Sequence, residues 1–193
     1  MFQTKRSTLL VILILASLSV GLAWSATPGA DTLQVNYFVG ANTGGVPDGT
    51  VQMTNPGTSG NTICGMIYVF DPYEELTECC GCTLTPDDLR TLSIDSNLTA
   101  NPLTGRVLTT GVIKIVSSKF TGTCDPRSLT PTPATRDWAT HILLPTTGGF
   151  TVTEEEFQNA TLSSAEQSSL QSACSAIVLE GSTHGICTCG TGF

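Results

Sequence analysis

The chain is poor in positive charge. Its 193 residues include only eight Lys and Arg against sixteen Asp and Glu, a formal net charge of −8. A surface with so few cations repels phosphate backbones, which argues against nucleic acid as a partner. The charged fraction is 12%, so Thr, Ser, Asn and Gly supply most of the polar surface. Such a composition is common in exported proteins and is compatible with contact with sugars, cell walls or further copies of the chain.

The chain also lacks the short motifs of the common enzyme classes. It contains no G-x-S-x-G nucleophile elbow, no H-E-x-x-H zinc pair, no P-loop and no G-x-G-x-x-G turn. We therefore predict no catalytic residue, no cofactor-binding residue and no cofactor, and we favour a protein that is not an enzyme. A carbohydrate-active enzyme stays open as an alternative, because the two carboxylates of a glycosidase are paired in space and not in sequence.

No apolar run is long enough to span a bilayer well. The longest extends over residues 9–20 and is interrupted by two serines, whereas a membrane-spanning helix needs about 20 apolar residues. Lys5 and Arg6 precede this run, and small residues follow it. This order is typical of a secretory signal peptide and is less well explained by a transmembrane anchor.

Cleavage of the signal peptide is expected after Ser25 or Ala26. The first choice puts small residues at both recognition positions, whereas the second puts Trp24 at one of them. We favour Ser25, so that residues 1–25 are the signal peptide and residues 26–193 form a single secreted disulfide-rich β domain. The mature chain then has no membrane span, and its expected location is secreted, periplasmic or on the extracellular surface.

Cysteine is the residue type that the mature chain has in quantity. All eight cysteines lie beyond the signal peptide, and an even number in an exported chain predicts disulfide bonds. The predicted disulfide residues are Cys64, Cys79, Cys80, Cys82, Cys124, Cys174, Cys187 and Cys189. Eight thiols allow 105 pairings, so the connectivity stays open.

Three of these thiols fall within residues 79–82, which we interpret as a loop. Near neighbours meet the disulfide separation of roughly 4.4–6.8 Å between Cα atoms only with strain. Cys64 and Cys124 alone cannot satisfy three thiols, so at least one bond must join this segment to residues 174–189. Such a bond closes a loop of about 100 residues and stabilises the fold by about 4–5 kcal/mol on the chain-entropy view.

A thiol-rich metal-binding or redox site is the alternative use of these residues. A thiolate cluster would suit Cu(I) or Zn(II), and its candidate ligands are Cys79, Cys80, Cys82, His184, Cys187 and Cys189. We favour cystines in an oxidising compartment and predict no metal ligand. The acidic residues at 71–78 suggest Ca²⁺ less than a solvated turn, because they lack the spacing of an EF-hand loop.

Alternating apolar residues predict a mainly β fold. The expected strands are 33–39 with 50–54 as its return strand, 63–70 as a central strand buried on both faces, 106–109 and 112–116 as a hairpin, and 137–144. Residues 89–94 fit a strand and a helical turn equally well. We expect Trp138 to pack in the core or to cover a cystine, and His141 to be a structural residue.

One C-terminal helix is predicted as well. Residues 163–166 form a capping box, and residues 170–178 carry one apolar stripe that includes Cys174. A cysteine on that stripe indicates that the helix is bonded to the sheet. Gly181 is expected to end the helix, and a further capping box at residues 153–156 predicts a short helical turn.

Several segments resemble an uncharacterised family of exported, cysteine-rich bacterial proteins. They are Ile63–Phe70, Glu78–Cys82, Leu89–Ser93, Asn101–Gly105, Trp138–His141 and His184–Gly190. The resemblance runs from about residue 50 to the C-terminus. The family has no established activity, so the resemblance implies a secreted, cysteine-stapled domain and transfers no functional residue.

Together these patterns predict sandwich-like antiparallel sheets with one C-terminal helix, stapled by disulfides. The favoured function is a non-enzymatic exported module, structural or binding, at the cell surface. Its expected partners are cell-surface or matrix components or further copies of the chain. The thiol-rich metal or redox protein and the carbohydrate-active enzyme are the alternatives.

Overall fold

The computed structural model describes residues 31–145, 147–180 and 183–190. Residues 1–25, which were predicted to be a signal peptide, and Gly181 lie outside these ranges. The strands are β1 (Leu33–Val39), β2 (Thr50–Thr54), β3 (Ile63–Phe70), β4 (Leu76–Leu84), β5 (Leu89–Ser93), β6 (Thr110–Lys119), β7 (Arg136–Leu143), β8 (Thr151–Glu156) and β9 (Gln158–Ala160). A single π-helical turn covers Ile94–Leu98, and helix α1 covers Ser164–Leu179.

The strands form two antiparallel sheets. The five-stranded sheet has the order β4-β3-β6-β1-β9, and the four-stranded sheet has the order β5-β2-β7-β8. Apolar side chains from both sheets fill the space between them, among them Phe38, Met53 and Ile67. The predicted fold class, two antiparallel sheets with one C-terminal helix and four disulfides, is confirmed.

Strand β3 lies at the centre of the molecule, between β4 and β6. Seven of its eight residues are buried, because the five-stranded sheet is covered on both faces. Ile67 and Val69 face the other sheet, whereas Met66 and Tyr68 face α1. The prediction of a central strand buried on both faces is confirmed.

Three local predictions were wrong because long-range pairing decided the outcome. Strand β2 pairs with β5 and β7 of the other sheet and does not return along β1. Of the predicted hairpin, residues 106–109 form no strand, and residues 112–116 lie in the continuous strand β6. Gly111 makes no turn there, and a Cβ at this position would overlap the Phe70 carbonyl and the Phe38 ring. The capping box at 153–156 lies in β8, which pairs with β7 along its whole length.

Trp138 also differs from its prediction. It is half-buried and belongs to neither hydrophobic cluster. Asp137 and Ala139 on either side of it are buried, so strand alternation turns Trp138 outward. Residues 89–94, left open between strand and helical turn, form β5 and the first residue of the π-helical turn.

One lateral side of the sandwich is closed by a chain segment that changes sheets. Strand β8 belongs to the four-stranded sheet, and β9 pairs with β1 of the five-stranded sheet. Phe157 alone separates β8 from β9, and it is 3% exposed. Its N–H donates to the Asp137 carbonyl at 2.8 Å. The backbone itself therefore joins the two sheets on this side.

Helix α1 begins as predicted. The Ser163 side chain accepts a hydrogen bond from the Glu166 N–H at 3.1 Å, and Leu170, Cys174 and Ile177 are the buried residues of the helix. They pack on the outer face of the five-stranded sheet, against residues such as Met66 and Tyr68. The molecule thus has three layers, with the five-stranded sheet in the middle.

Candidate functional site

The cysteine-rich segment lies on an edge strand. Cys79, Cys80 and Cys82 belong to β4, which pairs within its sheet only with β3. The prediction of a loop here was wrong. Because successive side chains of a strand point to opposite faces, Cys79 faces α1 while Cys80 and Cys82 face the core between the sheets.

All eight predicted disulfide residues are paired. The Cα–Cα separations are 5.5 Å for Cys64–Cys124, 6.0 Å for Cys79–Cys174, 5.2 Å for Cys80–Cys187 and 5.4 Å for Cys82–Cys189. No bond forms within 79–82 or between the last two cysteines, as the spacing argument requires. At least one bond was expected between 79–82 and 174–189, and three are present.

The first of these bonds fixes the helix. Cys79 and Cys174 are both buried, at 1% and 0% exposure, and their bond joins β4 to the middle of α1. Leu170 and Ile177 pack on the sheet one turn before and one turn after it. The predicted bond between helix and sheet is confirmed.

The other two bonds hold the C-terminal strap, residues 183–190, along the outer edge of β4. The Cys79 N–H donates to the Gly185 carbonyl at 2.9 Å, and the Cys187 N–H donates to the Cys79 carbonyl at 3.3 Å. This is parallel β pairing. The strap thus occupies backbone groups of an edge strand that would otherwise be open to another chain.

The strap also reaches the four-stranded sheet. The Thr188 N–H donates to the Asn97 carbonyl at 3.0 Å, and the Asn97 side chain donates to the Thr188 hydroxyl at 2.9 Å. Asn97 belongs to the π-helical turn after β5. The strap therefore closes the second lateral side of the sandwich, opposite β8 and β9.

The two strap cystines lie side by side. The Sγ atoms of Cys80, Cys82 and Cys189 all lie within 4.8 Å of one another. They form the one group of three metal-ligand side chains this close within the described ranges, and His184 does not belong to it. In the bonded form these sulfurs are cystines, so the geometry offers a cluster of soft donors only after reduction.

A cleft of about 480 Å³ opens beside the cystines. Its walls include Cys79, Cys124 and the ion pair of Asp125 with Arg127, whose N···O distance is 2.8 Å. Arg127 lowers the pKa of Asp125, because the hydrogen-bonded ion pair favours the carboxylate. Gly81 lines the same cleft, and a Cβ there would overlap the Cys124 carbonyl oxygen.

Glu78 is fully buried directly before the cysteines. Its Oε1 accepts a hydrogen bond from the Asn101 N–H at 2.9 Å, and within the described part of the chain no group bonds to its Oε2. Burial raises the pKa of Glu78 to about 7, and the hydrogen bond from Asn101 opposes this shift. The side chain is therefore not part of a solvated turn, as the sequence had suggested for residues 71–78.

The rest of that acidic stretch forms the turn between β3 and β4. Asp71 Oδ1 accepts hydrogen bonds from the N–H groups of Tyr73 and Glu75, at 2.8 and 2.9 Å. Glu74 and Glu75 are exposed. Asp71 thus acts as the local acceptor of a turn, which agrees with the favoured interpretation of these residues other than Glu78.

A second group of buried polar side chains, which no sequence pattern had indicated, lies on the opposite lateral side. Gln34 of β1 is 3% exposed, and both Thr135, directly before β7, and Asp137, its second residue, are 0% exposed. Gln34 Nε2 donates to the Thr135 carbonyl at 2.9 Å. The Thr135 hydroxyl donates to Asp137 Oδ2 at 3.0 Å.

Asp137 is the titratable residue of this group, and its surroundings shift its pKa strongly. Its Oδ1 has no hydrogen-bond partner among the described residues. Burial raises the pKa of Asp137 to about 8, and the hydrogen bond from Thr135 opposes this shift. One sequence signal indicated that Asp137 is buried. The strand was predicted correctly, and alternate residues of a strand face the same side, so Asp137 faces inward with Ala139 and His141.

His141 lies further along the same inward face of β7. It is 1% exposed, and its ring meets Tyr37 edge-on at 4.2 Å between centroids. Neither ring nitrogen is hydrogen-bonded to a residue that the structure describes. Burial lowers the pKa of His141, against the opposing charge of Glu155. These contacts agree with the structural role expected for this residue.

None of the helices in the described ranges is both long and apolar enough to cross a membrane. The family models, the curated proteins and the solved structures contain no match to this chain.

Proposed function

We propose that the chain is a non-enzymatic exported module that serves a structural or binding role at the cell surface or in the extracellular matrix. The observation that carries this proposal is the use of the cysteines. All eight form disulfides, and three of these bonds fix one edge strand to a helix and to the C-terminal strap. Disulfide-dense bracing is typical of proteins that function outside the reducing cytoplasm.

The proposed partners are components of the cell surface or matrix, or further copies of the chain. Two features favour a durable scaffold over a catalyst. The strap covers the edge of β4, and the segment through Phe157 joins the sheets at the other side. A sandwich closed at both sides resists opening, which suits a module that works where it cannot be replaced quickly.

Export and thiol state test the proposal together. The full chain is produced in a host with a secretory pathway, and a chain that begins at residue 26 is the matched control. We expect the full chain outside the cytoplasm with no free thiol when it is titrated in denaturant without reductant. We expect the control inside with reduced cysteines. A full chain retained inside with free thiols would contradict the proposal.

The binding role needs a separate measurement. Purified protein is sedimented with isolated cell envelopes, and its self-association is followed by analytical ultracentrifugation. Binding to envelopes or assembly of copies supports a surface module. Turnover of a polysaccharide panel without either would favour the carbohydrate-active enzyme instead.

One observation favours a thiol-metal or redox protein as the second candidate. It is the cluster of the Cys80, Cys82 and Cys189 sulfurs within 4.8 Å. Metal analysis of protein purified without chelator distinguishes the two candidates. One bound Cu or Zn per chain, together with free thiols, would favour the metal protein.

A further inference from the structure

The core of the sandwich contains a group of polar side chains, which we call the lateral polar cluster: Gln34, Thr135 and Asp137. Polar side chains are unusual in such a core. These three lie between the two sheets with at most 3% of each residue exposed. An unpaired buried oxygen such as Asp137 Oδ1 costs about 1–3 kcal/mol of stability. Such a group in a native structure calls for an explanation.

The three side chains have complementary chemistry. A hydroxyl becomes a nucleophile when a neighbouring base takes its proton, and the Thr135 hydroxyl donates to Asp137 Oδ2 at 3.0 Å. The raised pKa of Asp137, about 8, makes its carboxylate a stronger base than an exposed aspartate. The Gln34 carboxamide is an acyl group, and its Nε2 lies 2.9 Å from the carbonyl oxygen of Thr135.

Burial keeps water away from these side chains, which a reaction at an acyl group also requires. Water competes for an acyl group wherever it has access, and a closed site suppresses that hydrolysis. Thr135 and Asp137 are both 0% exposed. The hydrogen bond from Gln34 Nε2 to the Thr135 carbonyl also holds the carboxamide beside the residue that carries the hydroxyl, although the two residues are 101 apart in the chain. Such positioning replaces a bimolecular encounter by an intramolecular one.

We propose that Thr135 and Gln34 join in an intramolecular ester cross-link, formed by the folded protein itself. Asp137 Oδ2 takes the proton of the Thr135 hydroxyl, and Oγ1 attacks Cδ of Gln34. The Cδ–Nε2 bond then breaks, and Nε2 receives the proton from Asp137 and leaves as ammonia. One C–O bond forms, one C–N bond breaks, and Asp137 returns to its starting state, so no oxidant, reductant or further reactant is needed.

The cross-link would join the two sheets. Gln34 lies on β1 of the five-stranded sheet, and Thr135 directly precedes β7 of the four-stranded sheet. No cystine lies on this lateral side. The ester would thus add a covalent bond between the sheets on the side where the backbone through Phe157 joins them and no disulfide does. It adds to the proposed structural role but does not depend on where the protein acts.

Intact-mass measurement of the secreted, folded protein tests the proposal. Four disulfides remove eight hydrogens from the mass of the mature chain. We expect a further loss of one ammonia. Proteolysis and fragmentation should recover a peptide pair that links Gln34 to Thr135, and hydroxylamine should cleave it. A wild-type mass without the loss, after prolonged incubation above pH 8, where Asp137 is ionised, would overturn the proposal.

Three variants separate the cross-link from other losses of ammonia. Thr135→Val removes the nucleophile at nearly constant shape, and Asp137→Asn removes the base. Both are expected to keep the full mass, whereas Thr135→Ser should still lose ammonia. Thr77→Val is the matched control, because Thr77 is also buried and its hydroxyl donates only to the Val69 carbonyl. Persistence of the loss in Thr135→Val would overturn the assignment, and so would its absence in Thr77→Val with the four disulfides intact.

Discussion

Both lateral sides of the sandwich are closed, but the chemistry that closes them differs. On one side the C-terminal strap lies along β4 and is held by the Cys80–Cys187 and Cys82–Cys189 bonds. On the other side the backbone passes from β8 to β9 through Phe157, beside buried polar groups. The first side can be opened by a reductant. The second contains Asp137, whose protonation depends on pH.

Because of this difference, we expect the two sides to respond differently to a change of pH. A disulfide does not titrate, so the strap contributes the same stabilisation at any pH at which the fold is intact. A buried carboxyl with a raised pKa favours the folded state only while it is protonated. Glu78 brings a smaller pH-dependent contribution to the cystine side.

The largest expected effect follows from removing both strap cystines, each of which joins residues 107 apart in sequence. The variant carries Cys80→Ser, Cys82→Ser, Cys187→Ser and Cys189→Ser. We expect the free energy of unfolding to fall by about 3–5 kcal/mol, because the unfolded chain gains the entropy of the opened loops. Urea denaturation at pH 5 and pH 8 measures it, and the loss should be similar at both.

The matched control is Cys64→Ser with Cys124→Ser, which opens a bond of sequence separation 60 and leaves the strap attached. Its loss should be somewhat smaller. A loss below about 1 kcal/mol for the strap variant would show that hydrogen bonds alone hold the strap, because that value is below the usual range for a native disulfide.

The second prediction concerns the pH dependence of the polar side. The pKa of Asp137 is about 8 in the folded protein and about 3.9 in an unfolded chain. The folded state therefore holds the proton longer, so the stability from this group is fully present below about pH 4. It decreases as the pH rises towards 8 and is then constant.

Asp137→Asn should remove this decrease, so the melting temperature of the variant should vary less between pH 4 and pH 9 than that of the wild type. Glu78→Gln is the comparison on the cystine side, and it should flatten the curve over a narrower range, up to about pH 7. Parallel curves for wild type and Asp137→Asn would contradict the prediction.

A smaller effect is expected from Gly81→Ala on β4. The added Cβ would overlap the Cys124 carbonyl oxygen, so β4 or the loop that carries Cys124 has to shift. Forcing a methyl group into a packed site costs about 1–3 kcal/mol. Chemical denaturation measures the loss, and Gly44→Ala is the control, because nothing lies within 4 Å of a Cβ at Gly44. Equal stability of the two variants would show that β4 is not tightly held against this loop.

The smallest effect is expected at the start of α1. Ser163→Ala removes the side chain that accepts from the Glu166 N–H, which costs about 1 kcal/mol for a typical N-cap. The Cys79–Cys174 bond should hold the rest of the helix in place. Hydrogen exchange is expected to accelerate only in the first turn, and Ser169→Ala, at an exposed position within α1, is the control. Faster exchange at Cys174 would mean that the cystine does not hold the helix independently.

Much of the local structure was predictable, because it depends on short sequence patterns. The strands at 33–39 and 63–70 and the capped helix after Ser163 agree with the structure. The edge strand β4 was missed, because a run of cysteines and a glycine has no apolar alternation. Its extended form depends on pairing with β3 and with the strap.

The lateral polar cluster could not have been predicted from either of its segments alone. Gln34 and Thr135 are 101 residues apart, and nothing in the residues around Gln34 shows that it faces β7. The only local sign was the inward parity of Asp137. A buried acid in a strand indicates that a partner exists, but the partner is chosen by how the two sheets pack.

The sequence by itself determined the number of thiols, the exclusion of bonds within residues 79–82 and the need for a link to the C-terminal region. These follow from covalent geometry, which acts over a few residues. Only the tertiary structure decided which cysteines meet, which sheet each strand joins and which carboxyls lose contact with water. Those outcomes depend on contacts between residues far apart in the chain, and the order of residues along the chain does not specify their distances.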